Sequence, residues 1–371
     1  MENKNISDYF AELETTKEYD GYFFSITAAV TICILGTFCG LRNMKRIHQW
    51  ASNNKIRSFL AEHFGIKDLV CYSWFTQVLG LIKPESFNEC FIKWVMDSVK
   101  YAGLTLSFDG KTICSTGKMK AYKNALHIVN AQIANLGITL GQKAVDSKSN
   151  EIPAVRDLIE LLDIRGCLVV ADALNCQKET AQKIVDGGGD YLLSVKDNQP
   201  TLKKEIAEII HGDEHKKSIE VFNKTEKNRG RIELRTAYIF DNLDLIPASK
   251  DWAKSVCVGA INTQFTKDGV TSNEWHYFIC SRKLNAEGLL NHARLEWSVE
   301  VMHWLLDVHF NEDSCRVVEQ NTQENLNIIR KIVLNCFREY KNKNNSKEAF
   351  SYLMQECMME PERILDFLWQ N

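Results

Sequence analysis

Three acidic residues are spaced so that their side chains could act together on a phosphate ester. Asp109 ends the apolar run LTLSFD, Asp172 ends the run CLVVAD, and Glu300 lies within the helical pattern WSVEVMHWLLDVHFNED. Carboxylate oxygens are the ligands that hard divalent cations such as Mg²⁺ prefer. Two metal ions held by such carboxylates can activate a water or a 3′-hydroxyl and stabilise the leaving oxygen of a phosphodiester. The three acids therefore suit two-metal phosphoryl transfer, with Mg²⁺ or Mn²⁺ as the ion.

Each acid also has an ordinary structural alternative. Asp-Gly after a strand is a frequent turn, and an aspartate at a strand end often caps the next helix. Glu300 could be a surface acid of an amphipathic helix. His303 and Asp307 follow Glu300 at helical spacing, so the three side chains share one side of the helix. His303 could orient a carboxylate or a water, and a packed histidine is the alternative.

The elements around the acids follow a definite order from residue 103 onward. Alternating or continuous apolar runs predict three strands, and then helices alternate with two further strands before a last helix. The order β-β-β-α-β-α-β-α is that of the RNase H-like fold, an α/β fold with a mixed sheet. In that fold the first and fourth strands pair in parallel, so Asp109 and Asp172 would lie side by side. Open α/β sheets bind ligands at that edge.

The rest of the chain divides by its pattern. Helical spacing dominates before residue 100, and four β-type runs with polar links occupy residues 213–285. We predict a loose acidic arm (1–20), an N-terminal helical domain (21–100), the first part of the catalytic core (101–212), a β-rich insertion (213–285), a helical completion of the core that carries Glu300 (286–340) and a C-terminal helical tail (341–371).

The composition places limits on partners. The formal net charge is −3, so any grip on nucleic acid must come from local groups. Arginines that alternate along the insertion point to one strand face, although Glu233 could partly neutralise a solvated face. Trp297 could stack on a base, but core packing is the more usual role of tryptophan. The candidate DNA-binding residues are Lys111, Lys196, Asn198, Gln199, Arg229, Arg231, Arg235 and Trp297.

Residues 22–41 form an uncharged stretch followed by Arg42. Its length and basic flank would fit a membrane span. We favour a buried helix, because serine, threonine and glycine interrupt the apolar run. Twelve cysteines without a CxxC pair or a secretory signal favour reduced thiols in a cytosol. We therefore expect a cytoplasmic protein without a membrane partner.

Several long segments carry a resemblance to a known family. They are FDGKT, LHIVNAQ, LGQKAVDSKSNEI, LLDIRGCLVVADALNCQKETAQKIVDGGGDYLLSVKDNQPTL, GRIELR and W-SVE-MHWLLDVHFNED-R. This set, spread over roughly residues 20 to 340, resembles the bacterial DDE transposases of the ISAs-type, H-repeat-associated group. The resemblance implies that Asp109, Asp172 and Glu300 are the DDE triad. It further implies two divalent metal ions, the element's terminal inverted repeats and target DNA as partners, a homodimer during reaction and a nucleoid-associated place in a bacterial cytoplasm.

The chain departs from that family pattern in three places. Glu296 stands where family members usually carry histidine, Arg229-Gly230-Arg231 replaces the usual HGR, and the segment after residue 340 is less basic. A negative charge one helical turn from Glu300 would repel phosphate and raise the carboxylate pKa. The alternative hypothesis is a catalytically impaired, non-enzymatic nucleic-acid-binding or interaction protein on a decayed transposase scaffold.

Overall fold

One mixed sheet of nine strands organises the computed structural model, which describes residues 6–17, 25–113, 126–145, 151–228, 231–267 and 270–369. The strand order is β3-β2-β1-β4-β5-β9-β8-β7-β6. The strands are β1 (Thr105–Thr112), β2 (His127–Ile133), β3 (Ile138–Val145), β4 (Leu168–Ala171), β5 (Asp190–Val195), β6 (Glu220–Asn228), β7 (Arg231–Phe240), β8 (Cys257–Lys267) and β9 (Val270–Cys280).

β1 and β4 are neighbours within the five strands β1 to β5, which are the strands predicted for the catalytic core. β1 pairs with β4 in parallel and with β2 antiparallel. Phe108 lies opposite Ala171 in this register, so Asp109, which continues β1, and Asp172, which follows the end of β4, lie at the same level. All four residues of β4 are buried, as expected of a continuous apolar run in a central strand.

Three helices complete the predicted element order around these strands. They are α8 (Glu151–Leu161), α9 (Lys178–Asp186) and α10 (Pro200–His211), and each follows a strand of the series β3, β4 and β5. The order from β1 to α10 is therefore β-β-β-α-β-α-β-α. α10 starts at Pro200, where proline fits because the first helical turn leaves its N–H groups unpaired anyway.

The four strands of the predicted insertion extend the same sheet. β9 pairs antiparallel with β5, with Leu192 opposite Cys280, and β8, β7 and β6 follow outward. An open edge at β5 would expose unpaired backbone groups, and β9 covers them.

The helices before and after the sheet pack together through one long central helix, α13. Its residues 322–337 are all buried, and it contacts α2, α6, α7 and β3. The helices are α1 (Ile6–Tyr9), α2 (Ile26–Phe38), α3 (Met44–Ala51), α4 (Asn54–Phe64), α5 (Tyr72–Phe75), α6 (Val78–Leu81), α7 (Pro84–Ser98), α11 (Ala286–Leu295), α12 (Ser298–Phe310), α13 (Gln320–Asn344), α14 (Phe350–Met359) and α15 (Ile364–Phe367).

The prediction of a loose arm is wrong for the described residues 6–17. Phe10 is completely buried, and its ring packs edge-on against Phe87 of α7 at 5.1 Å. Thr27 of α2 donates a hydrogen bond to the Phe10 carbonyl. The acidic composition of the arm concealed these apolar anchors.

The uncharged stretch after residue 25 forms α2, a helix of 13 residues that is buried from Ala29 to Phe38. Phe38 packs edge-on against Phe337 of α13 at 5.2 Å. Within the described part of the chain, no helix combines the length and apolarity that a membrane crossing requires.

Candidate active site

Asp172 leaves β4 and caps a short 3-10 turn formed by Ala173–Asn175. Its Oδ1 accepts hydrogen bonds from the backbone N (3.2 Å) and side-chain Nδ2 (3.1 Å) of Asn175. The side chains of Asn198 and Gln199 hold this turn from the end of β5, because both donate to the Cys176 carbonyl at 3.3 and 3.0 Å. The amide groups of these two predicted DNA contacts are therefore engaged inside the protein.

Asp109 lies beside this turn in a concentration of negative charge. Burial, together with the charges of Glu151, Asp172 and Glu300, raises the pKa of Asp109 to about 7 against an opposing hydrogen bond from Gly110. The charge of Glu300 thus acts on Asp109, although the two residues are 191 positions apart in the sequence. The charges favour a bound cation at this position.

Glu151, at the start of α8, is an acid of the site that the sequence analysis did not identify. It is only 3% exposed, and its carboxylate lies 3.1 Å from His127 Nε2 and 3.4 Å from Asn175 Nδ2. A side chain at Gly110 would collide with both Glu151 and His127, so glycine is required there by close approach. The Asp-Gly pair was the available signal, because it lies inside β1 and not in a turn, and a glycine within a strand often marks the close approach of another group.

Glu300 lies in the first turn of α12, on its exposed side. Several large apolar side chains on this side of the helix are exposed as well, and Trp297 is not packed in the core. Leu305 belongs to the opposite, buried face with Val299, Met302, Leu306 and Phe310. The exposed residues are Trp297 (55%), Val301 (50%), Trp304 (58%) and Val308 (48%).

His303 reaches from α12 to the sheet beneath Asp109. Its Nε2 lies 3.0 Å from Asn130 Nδ2, and its Nδ1 lies 3.7 Å from Asp109 Oδ2. Burial, together with the positive charges of Lys111 and Lys331, lowers the pKa of His303 to about 3. The imidazole is therefore neutral and can present an N–H dipole to Asp109, but it cannot form an ion pair with it.

Lys111 and Asp307 join β1 to α12. Lys111 Nζ lies 2.5 Å from Asp307 Oδ1 and 2.8 Å from the buried Glu312, and its side chain is only 12% exposed. This cation is neutralised by protein carboxylates. Asp307 is thus a partner of Lys111 within the protein, and a contact of Lys111 with DNA stays a prediction that would require this ion pair to open.

The arginine row of the insertion is also neutralised where it is described. Arg235 is buried and donates to Glu233 at 2.5 Å and to Glu226 at 2.8 Å. Arg235 therefore does not face solvent, its charge is paired with Glu233, and its contact with DNA stays a prediction. Arg229 and the side chain of Arg231 lie outside the described residues.

Lys196 and Glu296 face each other across a cavity of about 100 Å³ that Trp297 also lines. Lys196 is exposed, and it has no hydrogen bond or ion pair to any described residue. Burial, together with the charges of Asp172 and Asp109, raises the pKa of Glu296 to about 7, while Ser194 and Lys196 oppose the shift. Glu296 is therefore partly protonated near neutral pH, which reduces the repulsion expected from it.

The donor chemistry of the acids fits a divalent cation. In the described parts of the chain no three His, Cys, Asp or Glu side chains stand close enough together to hold a metal as they are placed. Burial and the neighbouring carboxylates of Glu151, Asp172 and Glu300 nevertheless raise the pKa of Asp109, so a divalent cation would be favoured beside it. Hard carboxylate oxygens are the ligands that Mg²⁺ and Mn²⁺ favour.

Comparison with known proteins assigns both the N-terminal part and the sheet of this chain to one family. The profile described as "Transposase DDE domain" matches residues 103–336, and a second one, described as "DDE_Tnp_1-associated", matches residues 7–95. The first match alone covers more than half of the chain. It contains all three predicted acids.

Individual relatives extend over most of the chain. The protein YbfL of Escherichia coli strain K12 is 29% identical over 354 residues, which cover 92% of this chain and 92% of YbfL. YhhI of the same strain, named as an H repeat-associated transposase, is 34% identical over 277 residues, which cover 71% of this chain and 72% of YhhI. A solved piggyBac transposase synaptic complex with hairpin DNA has a TM-score of 0.44 at 10% identity, covering 97% of this chain and 76% of that one, which is too distant to support an assignment.

Proposed function

This chain belongs to the DDE transposase family, and on that premise we propose that it is the DNA transposase of a bacterial insertion sequence. It cleaves DNA at the element's ends by hydrolysis and joins the freed 3′-hydroxyl to target DNA by transesterification. The observation that carries the proposal is that Asp109 and Asp172 lie at the same level, directly after the parallel pairing of β1 with β4 ends. Glu300 contributes its charge to the same place.

The proposal includes an RNase H-like catalytic core. The order β3-β2-β1-β4-β5, with β1 and β4 parallel at its centre, supports that classification. The proposed core includes residues 101–212 and 286–340, and residues 213–285 are an insertion that lengthens its sheet. Residues 21–100 are the proposed N-terminal helical domain, and residues 341–371 the proposed C-terminal tail.

The proposed roles at the site follow from the contacts of each acid. Asp109, Asp172 and Glu300 would hold two divalent metal ions, which supply Lewis acidity for the attacking and leaving oxygens. Asn175 fixes the Asp172 carboxylate, because two of its N–H groups donate to one oxygen. The buried Glu151 adds to the negative charge around Asp109, and electrostatic interactions are stronger there because water is excluded.

Ion pairs within the protein leave fewer basic side chains free to contact DNA, because Lys111 and Arg235 are paired with carboxylates. Lys196 is suited to a phosphate, since it is exposed beside Glu296 and Trp297. Trp297 is suited to stacking on an unpaired base, since more than half of its surface is open. The proposed partners remain the terminal inverted repeats and target DNA, with a homodimer during reaction in the bacterial cytoplasm.

One observation favours a second candidate function. Glu296 brings a further carboxyl group to the acids, and its charge above pH 7 opposes a bound phosphate. A protein that binds DNA without cleaving it is therefore the alternative.

A titration with the DNA that flanks the gene separates the two functions. Binding is followed by anisotropy in EDTA, and strand cleavage is followed on a gel after Mg²⁺ is added. Strand cleavage that requires Mg²⁺ supports the transposase. Binding without any nicking supports the alternative.

A further inference from the structure

Lys331 is a charged residue buried at the middle of α13, with only 1% of its surface exposed. An isolated charge is costly to bury, so its partners are informative. Its Nζ contacts the side-chain oxygens of two amides, Asn130 Oδ1 and Gln142 Oε1, the latter at 2.5 Å. Lysine has no acceptor, so both amides must turn their oxygen atoms toward it.

The orientation of Asn130 determines what it offers to His303. Its Nδ2 donates to the Ile128 carbonyl at 3.3 Å and lies 3.0 Å from His303 Nε2. Nε2 must therefore accept through its lone pair, and the single proton of the neutral imidazole lies on Nδ1. That Nδ1 faces Asp109 Oδ2 at 3.7 Å.

We propose that Lys331 and Asn130 are positioning residues of the active site, which hold His303 in the Nδ1–H tautomer with its N–H directed at Asp109. This rests on the proposed transposase function for its consequence in catalysis. The chain of donors runs in one direction, from Lys331 through Asn130 and His303 to the Asp109 carboxylate.

The geometry explains why the direction matters. A carboxylate that moves toward the imidazole by roughly 0.7 Å reaches hydrogen-bond distance. An Nδ1 without a proton would instead turn a lone pair toward a negative oxygen. Burial lowers the pKa of Lys331 to about 7, but the Ile128 carbonyl can only accept, so Asn130 keeps Nδ2 directed at it and Oδ1 directed at Lys331 when the lysine is neutral.

Two isosteric substitutions separate this role from general packing. Asn130→Asp and Gln142→Glu each turn a buried amide beside Lys331 into a carboxylate. Only Asn130→Asp removes the donor to His303 Nε2. The imidazole then donates from Nε2 to the new carboxylate, and its Nδ1 loses the proton that faces Asp109.

The direct readout is the tautomer of His303, from the ¹⁵N shifts of ¹⁵N-histidine-labelled protein, with the resonance assigned through His303→Gln. We expect Nδ1–H in the wild type and in Gln142→Glu, and Nε2–H in Asn130→Asp. An Nε2–H tautomer in the wild type overturns the proposal without any variant having to fold.

The functional readouts are Mn²⁺ binding by calorimetry and strand cleavage. We expect Asn130→Asp to weaken each by roughly 10-fold or more, as loss of a group that orients a metal-binding carboxylate typically does. Gln142→Glu should stay close to the wild type. Equal losses in the two variants would overturn the positioning role. If the wild type cleaves no DNA, the proposed function fails, and the tautomer and Mn²⁺ affinity still decide this inference.

Discussion

Asp109 carries a carboxyl group whose ionisation is opposed by burial and by three neighbouring acids. Its folded-state pKa of about 7 lies above the ordinary 3.8, so folding favours the protonated form. Stability is therefore complete below about pH 4 and is lost as pH rises toward 7. Above that pH the charged group is a source of strain that a metal ion could relieve.

Replacing Asp109 by asparagine removes this pH-dependent loss. We expect Asp109→Asn to be more stable than the wild type at pH 8 by on the order of 1 kcal/mol, discounted for the solvent that reaches the carboxyl group. The difference should vanish near pH 4 and shrink when Mg²⁺ stabilises the wild type. Urea unfolding at both pH values measures it, and a variant less stable than the wild type at pH 8 would contradict the assigned environment.

Glu296 should affect DNA binding only where it is ionised. Its pKa of about 7 means that it is mostly neutral at about pH 6 and charged at about pH 8.5. We expect Glu296→Gln to bind DNA in EDTA as the wild type does at the lower pH, and about 1 kcal/mol more tightly at the higher pH. Glu287→Gln, on the exposed side of the same α11, is the control. A pH-independent difference would rule out this explanation.

Residue types and spacing were sufficient to identify Asp109, Asp172 and Glu300 as candidates, but not their polar partners. Lys331 contacts Asn130 across 201 positions of sequence. A lysine in a helical pattern ordinarily predicts a solvated face, and no local pattern reveals a contact between distant segments. The same limit applies to Lys111 and Arg235, whose carboxylate partners only the folded chain brings to them.

At the scale of elements, α12 has two apolar faces with different tasks. Its buried face packs toward the sheet, where α12 contacts β1, and its exposed face carries Glu300 among apolar side chains. Trp297→Ala should leave unfolding free energy within about 0.5 kcal/mol of the wild type. It should weaken binding to DNA with unpaired ends by about 1–3 kcal/mol, the usual contribution of a stacked base.

The control on the same helix is Leu305, which is 4% exposed. Leu305→Ala should destabilise the fold by about 2–5 kcal/mol, and the variant that still folds should bind DNA normally. Unchanged binding by Trp297→Ala, measured by anisotropy, would remove the stacking role.

The elements that could be predicted from the sequence were those with a clear pattern of apolar residues. The strands β1 to β5 follow from alternating or continuous apolar runs, because one or both faces of each strand are buried. The side that α12 exposes could not be predicted in the same way, since apolar residues occur around most of its circumference. A helix with that pattern ordinarily predicts burial.

At the scale of the whole molecule, α13 joins the helices before the sheet to strand β3 of the sheet. Phe337 is at the centre of this junction, with its ring against Phe38, Phe350 and Phe367. We expect Phe337→Ala to destabilise the whole chain by about 3–5 kcal/mol. Met359→Ala, at a side chain that is 77% exposed, should change stability by less than about 0.5 kcal/mol.

The same unfolding experiment tests whether the chain unfolds as one unit. Tryptophan fluorescence and far-UV circular dichroism should give coincident transitions in the wild type and in Phe337→Ala, because the shared helix couples both regions. Separate transitions would show that the helical region and the sheet unfold independently.

The central claim is that Asp172 takes part in phosphoryl transfer. Asp172→Asn keeps a side-chain oxygen to accept from Asn175, so the turn after β4 should still form and the variant should fold. Asp186→Asn, at an exposed position in α9, is the matched control. The measurement is Mg²⁺-dependent strand cleavage of end-labelled DNA from the flanks of the gene. We predict cleavage by the wild type and by Asp186→Asn and none by Asp172→Asn, and cleavage retained by a folded Asp172→Asn would contradict the assignment.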